Sequence, residues 1–401
     1  MQIINLREAF RNKKTRPEVL SVTETVGKAI KSGEIKKEQL SIRNIAESIL
    51  GDAGMKAMDR NNDEGNIIVG LHEAVDPVSL TAFTNITGLL VLQYAVEAYQ
   101  APEYIGMQLC TEETSRDDNV RIPGLAPIDD KVLVVKEGQE YPTVSFGEDY
   151  ISTPTSQKRG ARIALTREMV FFDRTNQLGE LSSALGARLA TDREKRILSE
   201  VLGLTNSFSR KGVARNNYVS SADPRINLTY SQDLTDWTSL DAAQQVFNAY
   251  TDDRTDAEPI SVIPDTLLVT PSYEFTAKRI WEATELRVGT QSGAQQAYGP
   301  NIIRSKIQKI YTSQWITKLL VDAGVGTGAS TLARAKGNWF FGNFKKAFGY
   351  RTLFPFAVQA IQSDKDIFDR DVVGQWRVDE RGTPYTKAPW QVGRFLKDSA
   401  Y

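Results

Sequence analysis

The residue types that most often carry catalysis are scarce in this 401-residue chain, and those present are poorly placed for it. There is one histidine, His72, and one cysteine, Cys110. A nucleophilic triad needs an imidazole held between a hydroxyl and a carboxylate, and His72 stands in a mixed segment without such company. It reads as an ordinary structural residue. A lone cysteine can neither close a disulfide within the chain nor build a thiolate zinc cluster, so Cys110 reads as a small buried hydrophobe. The stretch Asp59-Arg-Asn-Asn-Asp63 has the opening of a calcium loop. Glu64 stands where that loop turns on glycine, and Gly70 where it needs a bidentate glutamate. Gly324, Gly326 and Gly328 lack the Lys-Ser/Thr pair of a phosphate loop, and their spacing does not fit a dinucleotide site. The pairs Asp129-Asp130 and Asp252-Asp253 fall in polar turns, where solvation is the default. The sequence predicts no catalytic residue, no cofactor and no metal.

Charge narrows the partners. Lys and Arg number 49 against 50 Asp and Glu, for a formal net charge of -1, without the basic excess of a dedicated nucleic-acid binder. Such a balance leaves little self-repulsion to keep copies apart. The start of the chain has no basic region followed by an apolar run, so no signal peptide is expected. The most apolar stretch, from Ile86 to Val96, is far short of the ~20 residues a bilayer span needs. A membrane role is not expected, and one cysteine suits a reducing compartment.

The elements divide the chain into regions of different texture. Residues 1–75 read as a helical region. In it Ser41, three residues before Asn44, caps a helix marked by Ile42, Ile45, Ile49 and Leu50. A second helix is expected over 77–99 within an arm, 76–107. From 108 to 166 short strand-like pieces (131–135, 143–146, 162–165) alternate with Pro and Gly, and little apolar mass accompanies them. An extended β-hairpin is the reading, and an isolated hairpin is marginal in water, so something else must support it. A long amphipathic helix follows over 173–204, with Gly186 as its one expected interruption near the middle. Residues 205–235 read as an irregular connection. Beyond it come a helix over 240–250, a buried strand over 266–270, a helix over 272–282 capped by Ser272, and a strand over 302–311. The chain closes on strands at 338–341, 354–361 and 372–379. The fold class is α+β.

The order of these parts resembles the major capsid proteins of tailed bacteriophages. Lys158-Arg-Gly-Ala-Arg-Ile-Ala-Leu-Thr-Arg-Glu168 and Phe171-Phe-Asp173 are similar to the junction between hairpin and spine helix in that family. Gly337-Asn-Trp-Phe-Phe-Gly-Asn-Phe-Lys-Lys-Ala-Phe-Gly-Tyr-Arg351 is similar to its late peripheral strands. The resemblance implies an extended loop over 108–166 and a peripheral domain from 167–204 and 336–395, with a spine helix at 173–204. The connection and axial domain take 205–335. It implies a structural subunit, not an enzyme, that assembles with itself into pentamers and hexamers of an icosahedral head in the virion, built in the host cytoplasm. Portal, scaffold and decoration proteins would be further partners, and packaged DNA would be touched non-specifically at most. An encapsulin-like nanocompartment shell is the alternative, and a soluble enzyme the remote one. Arg116, Asp117, Asp118, Arg121, Lys136 and Glu137 are the candidate contacts between subunits.

Overall fold

The computed structural model describes residues 16–31, 41–58, 77–124, 135–141, 149–205, 207–221, 225–252, 258–288, 297–324, 331–361 and 372–398. His72, the Asp59–Gly65 stretch, Asp129-Asp130 and most of the 324–328 loop lie outside them, as do the strands expected at 143–146 and over most of 131–135. The fold is α+β, in two compact units. The first comprises 1–103, 158–192 and 354–381, and the second 104–157, 193–353 and 382–401.

In the first unit the helices Arg16–Lys31, Ile42–Met58 and Pro77–Gln100 enclose a core of Ile42, Ile45, Phe83, Ile86, Leu90, Leu178 and Trp376. The expected cap is present: the Asn44 amide donates to Ser41 Oγ at 3.2 Å. Ser41 Oγ also donates to Asp173 Oδ1, at 2.8 Å. The long helix is Thr175–Val201, 27 residues or about 40 Å. Gly186 is there for a reason the sequence did not reveal. A Cβ at this position would lie 2.2 Å from the Ala95 carbonyl oxygen, so only glycine lets the backbone of Pro77–Gln100 come this close. The long helix stops in a Schellman turn. Gly203 takes φ +69°, the Leu204 amide donates to the Ser199 carbonyl and the Gly203 amide to Glu200.

The second unit is organised on a five-stranded sheet in the order Lys309–Thr312, Thr266–Val269, Asn338–Gly342, Val392–Leu396, Leu228–Thr229. Its central strands are buried on both faces, as near-continuous apolar runs require. Alternation then sorts their side chains between two cores. Leu267, Val269, Trp339, Phe341 and Phe395 face Leu240 and Phe247 of helix Trp237–Asn248 and Ile280 of helix Glu274–Glu282. Leu268, Phe340 and Val392 face Ile197, Leu198, Ile316 and Leu320.

Two local expectations are corrected. Ser272 caps nothing: Pro271–Tyr273 is a single 3₁₀ turn, and the helix proper begins at Glu274 with no side-chain cap. The strand expected at 302–311 is split. Ile303–Lys306 forms a helical turn and only Lys309–Thr312 is strand. Asn301 causes the split, because its Oδ1 accepts from the Ile303 amide while its Nδ2 donates to the carbonyls of Ile280 and Ala283. Asp252 is also not a solvated turn residue. It is buried, and its Oδ1 accepts from the Glu258 amide at 3.0 Å.

Candidate functional site

The six candidate contact residues fall in the stretch expected as an extended loop, and the strands at its root are well defined. Thr111–Thr114 pairs in parallel with Gly349–Thr352. Arg121–Pro123 then pairs antiparallel with Tyr150–Ser152, which continues into Ser209–Arg210 and Val213–Ala214 as a small four-stranded sheet. The root strands carry little apolar surface, with Ile151 alone fully buried among Arg121–Pro123 and Tyr150–Ser152.

Polar anchors replace the missing apolar mass. Asp149 and Arg210 are both buried and joined by two parallel hydrogen bonds, Nε to Oδ1 at 2.8 Å and Nη2 to Oδ2 at 2.7 Å. Such forked geometry repays the desolvation of both charges and fixes their orientation. The Gly124 amide donates to the Asp149 carbonyl, and a Cβ on Gly124 would lie 2.3 Å from the Asp149 carboxyl carbon. Arg351, 2% exposed, donates to Thr153 Oγ1 at 2.8 Å and lies over the Tyr385 ring. Thr153 Oγ1 in turn bonds both the amide and the carbonyl of Val120. Glu113 accepts from Lys387 and from the Tyr385 hydroxyl. Burial works to raise its pKa, but those two bonds with the charges of Lys387 and Arg351 outweigh it and hold the carboxyl below the ordinary range.

The structure treats the six candidates differently. Arg116 and Asp117 are exposed on the connection between the two root strands. Asp118 is engaged by its own chain, with Oδ1 accepting from both the amide and the hydroxyl of Ser156. Arg121 lies over the Tyr150 ring, 4.6 Å from its centroid. Lys136 and Glu137 are exposed in a turn closed by the Gln139 amide on the Lys136 carbonyl, with Gly138 at φ +82° as such a turn requires. Exposed charge therefore stands beside the root strands and in this turn, and Tyr141 beside the turn is 83% exposed. Sequence reading missed Asp149, Arg210 and Arg351. No spacing signals them, since Asp149 and Arg210 are 61 positions apart and the connection around Arg210 reads as irregular.

Two further buried carboxylates lie in the second unit. Glu200 accepts from Thr205, Ser207 and Thr386. Glu194 accepts from the amides of Ile105 and Gly106, and burial pushes its carboxyl up despite them and Arg193. Both are spent on internal donors. Among the described residues no group of three or more His, Cys, Asp or Glu could hold a metal ion. Burial, with Glu200 and Glu194 adding to it, pushes the Cys110 thiol far up, so it is no nucleophile.

A family model described as phage capsid protein matches residues 150–385, more than half of the chain. The chain belongs to the phage capsid protein family. It is a structural protein of a capsid shell, as the order of its parts implied. This capsid protein is also similar to solved particles. One is the bacteriophage PhiM1 mature capsid, at 12% identity over 74% of this chain and 87% of that one, TM-score 0.45. Another is from Mycobacterium phage Bobi, at 13% over 75% and 93%, TM-score 0.41. A third is a virus-like particle from Pyrococcus furiosus, at 9% over 76% and 96%, TM-score 0.39. At such scores the family match alone carries the assignment. No curated protein matches the chain significantly. Among the described residues no helix is long and apolar enough to cross a membrane.

Proposed function

We propose that this chain is the major capsid protein of a tailed phage, forming pentamers and hexamers of an icosahedral head around DNA without performing catalysis. Its head would assemble in the host cytoplasm, with portal, scaffold and decoration proteins as further partners. In this reading residues 108–166 are the extended-loop region, anchored at both ends by strands of its own chain, and the part near 125–148 is laid on a neighbouring copy. Residues 167–204 and 336–395 form the peripheral domain, 205–335 the connection and axial domain, and 1–75 with 76–107 the N-terminal region and arm. The observation that supports it is a loop rooted by buried polar anchors whose residues 136–141 are exposed, an arrangement that is costly unless another surface receives it. Arg116, Asp117, Arg121, Lys136 and Glu137 would set register between copies, since exposed pairs contribute only about 0–1 kcal/mol each. Asp118 serves the root instead.

The test is to express the chain and image it by negative-stain electron microscopy, beside a variant with 125–148 replaced by a short Gly/Ser linker. Closed shells are expected from the full chain, and a folded subunit that builds none from the variant. Shells from the shortened arm would overturn the role given to the loop.

A further inference from the structure

The sheet of the first unit has two unlike edges. Its strands run in the order 354–361, 372–381, 158–166. The 158–166 edge carries Lys158, Arg159 and Arg162, long cationic side chains held by Asp379, Asp192 and Gln375 of their own chain, and charged side chains of this kind guard an edge. The other edge is unguarded by charge. From Thr352 to Ser363 there is no charged residue, and Pro355 is the one residue of a kind that protects edges. Pairing with Thr111–Thr114 ends at Thr352. Among the described residues no backbone pairs with the outer edge of 354–361. Phe354 is 61% exposed, and Gln359 and Ala360 are exposed as well.

The strand at this edge is backed by the core. Phe356 and Val358 pack into the core, with Phe356 4.5 Å from Tyr99 between ring centroids. A cavity of about 400 Å³ opens beside the strand, lined by Glu24, Lys28, Leu89, Val358, Ala360 and Trp376. An uncharged strand can meet a copy of itself without repulsion, which a twofold contact demands because one surface must be its own complement. The helix above has the same property. Glu24 and Lys28 stand one turn apart and exposed, so an antiparallel mate lying over this helix would meet their opposite charges in reverse order.

We propose that residues 354–361 of two copies pair antiparallel across a twofold axis, carrying the sheet from one subunit into the next. This rests on the shell-subunit reading and adds a named contact to it.

Ala357 lies in the middle of the run, so pairing brings it directly or diagonally opposite its mate, within about 4.5–8 Å. The experiment uses full-length Ala357→Lys and Ala357→Glu, with particles measured by light scattering and folding checked by circular dichroism and thermal melting. Each variant alone is expected to lose assembly by roughly tenfold or more. An equimolar mixture is expected to regain it, because Lys then faces Glu. If the charged variants do not fold, Ala357→Cys treated with a short bismaleimide replaces them. Cys110 is buried, so a covalent dimer confined to assembled protein reports residue 357 beside its mate. The proposal is overturned if either charged variant assembles like wild type, if both folded variants fail and their mixture does too, or if crosslinking yields only monomer. A wild-type chain that never assembles would overturn the shell-subunit reading and this contact together.

Discussion

Two strand pairs in the same unit are held in opposite ways. Asn338–Gly342 against Val392–Leu396 is buried at every position, and rings stack across it, Trp339 on Phe395 at 4.4 Å. Arg121–Pro123 against Tyr150–Ser152 is mostly half-exposed and is fastened by Asp149–Arg210, Arg351 and Thr153. The first pair is stabilised by apolar area and needs no particular partner angle. The second is stabilised by directional bonds that hold only in one geometry. A capsid subunit can use both: the core keeps the body folded, while the polar bonds fix the geometry of the strands around Arg121–Pro123 and Tyr150–Ser152.

Several measurements on unassembled subunit would break or sharpen that contrast. The largest effect is expected from Trp339→Ala, which removes a fully buried indole whose N–H donates to the Gln232 carbonyl. A loss of about 3–5 kcal/mol should appear in urea unfolding. Asp149→Ala should cost about 3 kcal/mol by removing the carboxylate that neutralises the buried Arg210 guanidinium. Adding Arg210→Met should recover most of that, whereas no second change of this kind would rescue Trp339→Ala. If the double variant is as unstable as the single, the root is held by packing and the contrast fails.

Acidity should separate two carboxylates. Glu113 has a depressed folded pKa, so its contribution is present above the ordinary carboxylate pKa and is lost as pH falls through the folded value. Glu194 has a raised one, so its contribution is present below the ordinary pKa and is lost as pH rises through the folded value. Unfolding from pH 3 to 7 should therefore show Glu113→Gln lessening the acid loss and Glu194→Gln lessening the loss on the alkaline side; shifts of the same sign would refute the assignment. The smallest effect belongs to Arg121→Ala. It should cost about 0.5–1 kcal/mol for an exposed cation over the Tyr150 ring, and a cost above about 2 kcal/mol would mean that the root is more desolvated than its exposure indicates.

Legibility followed the same divide. Elements defined by periodic apolar residues could be read directly: Ile42, Ile45 and Ile49 with the Ser41 cap, the long run from Leu178 to Val201, and the apolar strands around Trp339 and Leu267. Where a bond between distant polar residues decides the geometry, the sequence was silent. Asn301 turns an apparent strand into a helical turn, and Asp149 meets Arg210 with nothing in the local pattern to announce it. Thr111–Thr114 finds its parallel partner more than 230 positions away, and no alternation in four residues could specify that. Of the six candidate residues, charge type and a loop-like setting were legible. That Asp118 is turned inward to Ser156 was not.

Gly186 has one more consequence. Where helix 175–201 passes helix 77–100, backbone meets backbone, with Ala95 and Ala190 fully buried nearby. At this one point no side chain separates the two backbones, so a change of rotamer there cannot let the helices slip past each other. Amides around this crossing should be among the last in the first unit to exchange with deuterium, and whatever rearrangement a shell undergoes must find its hinge elsewhere.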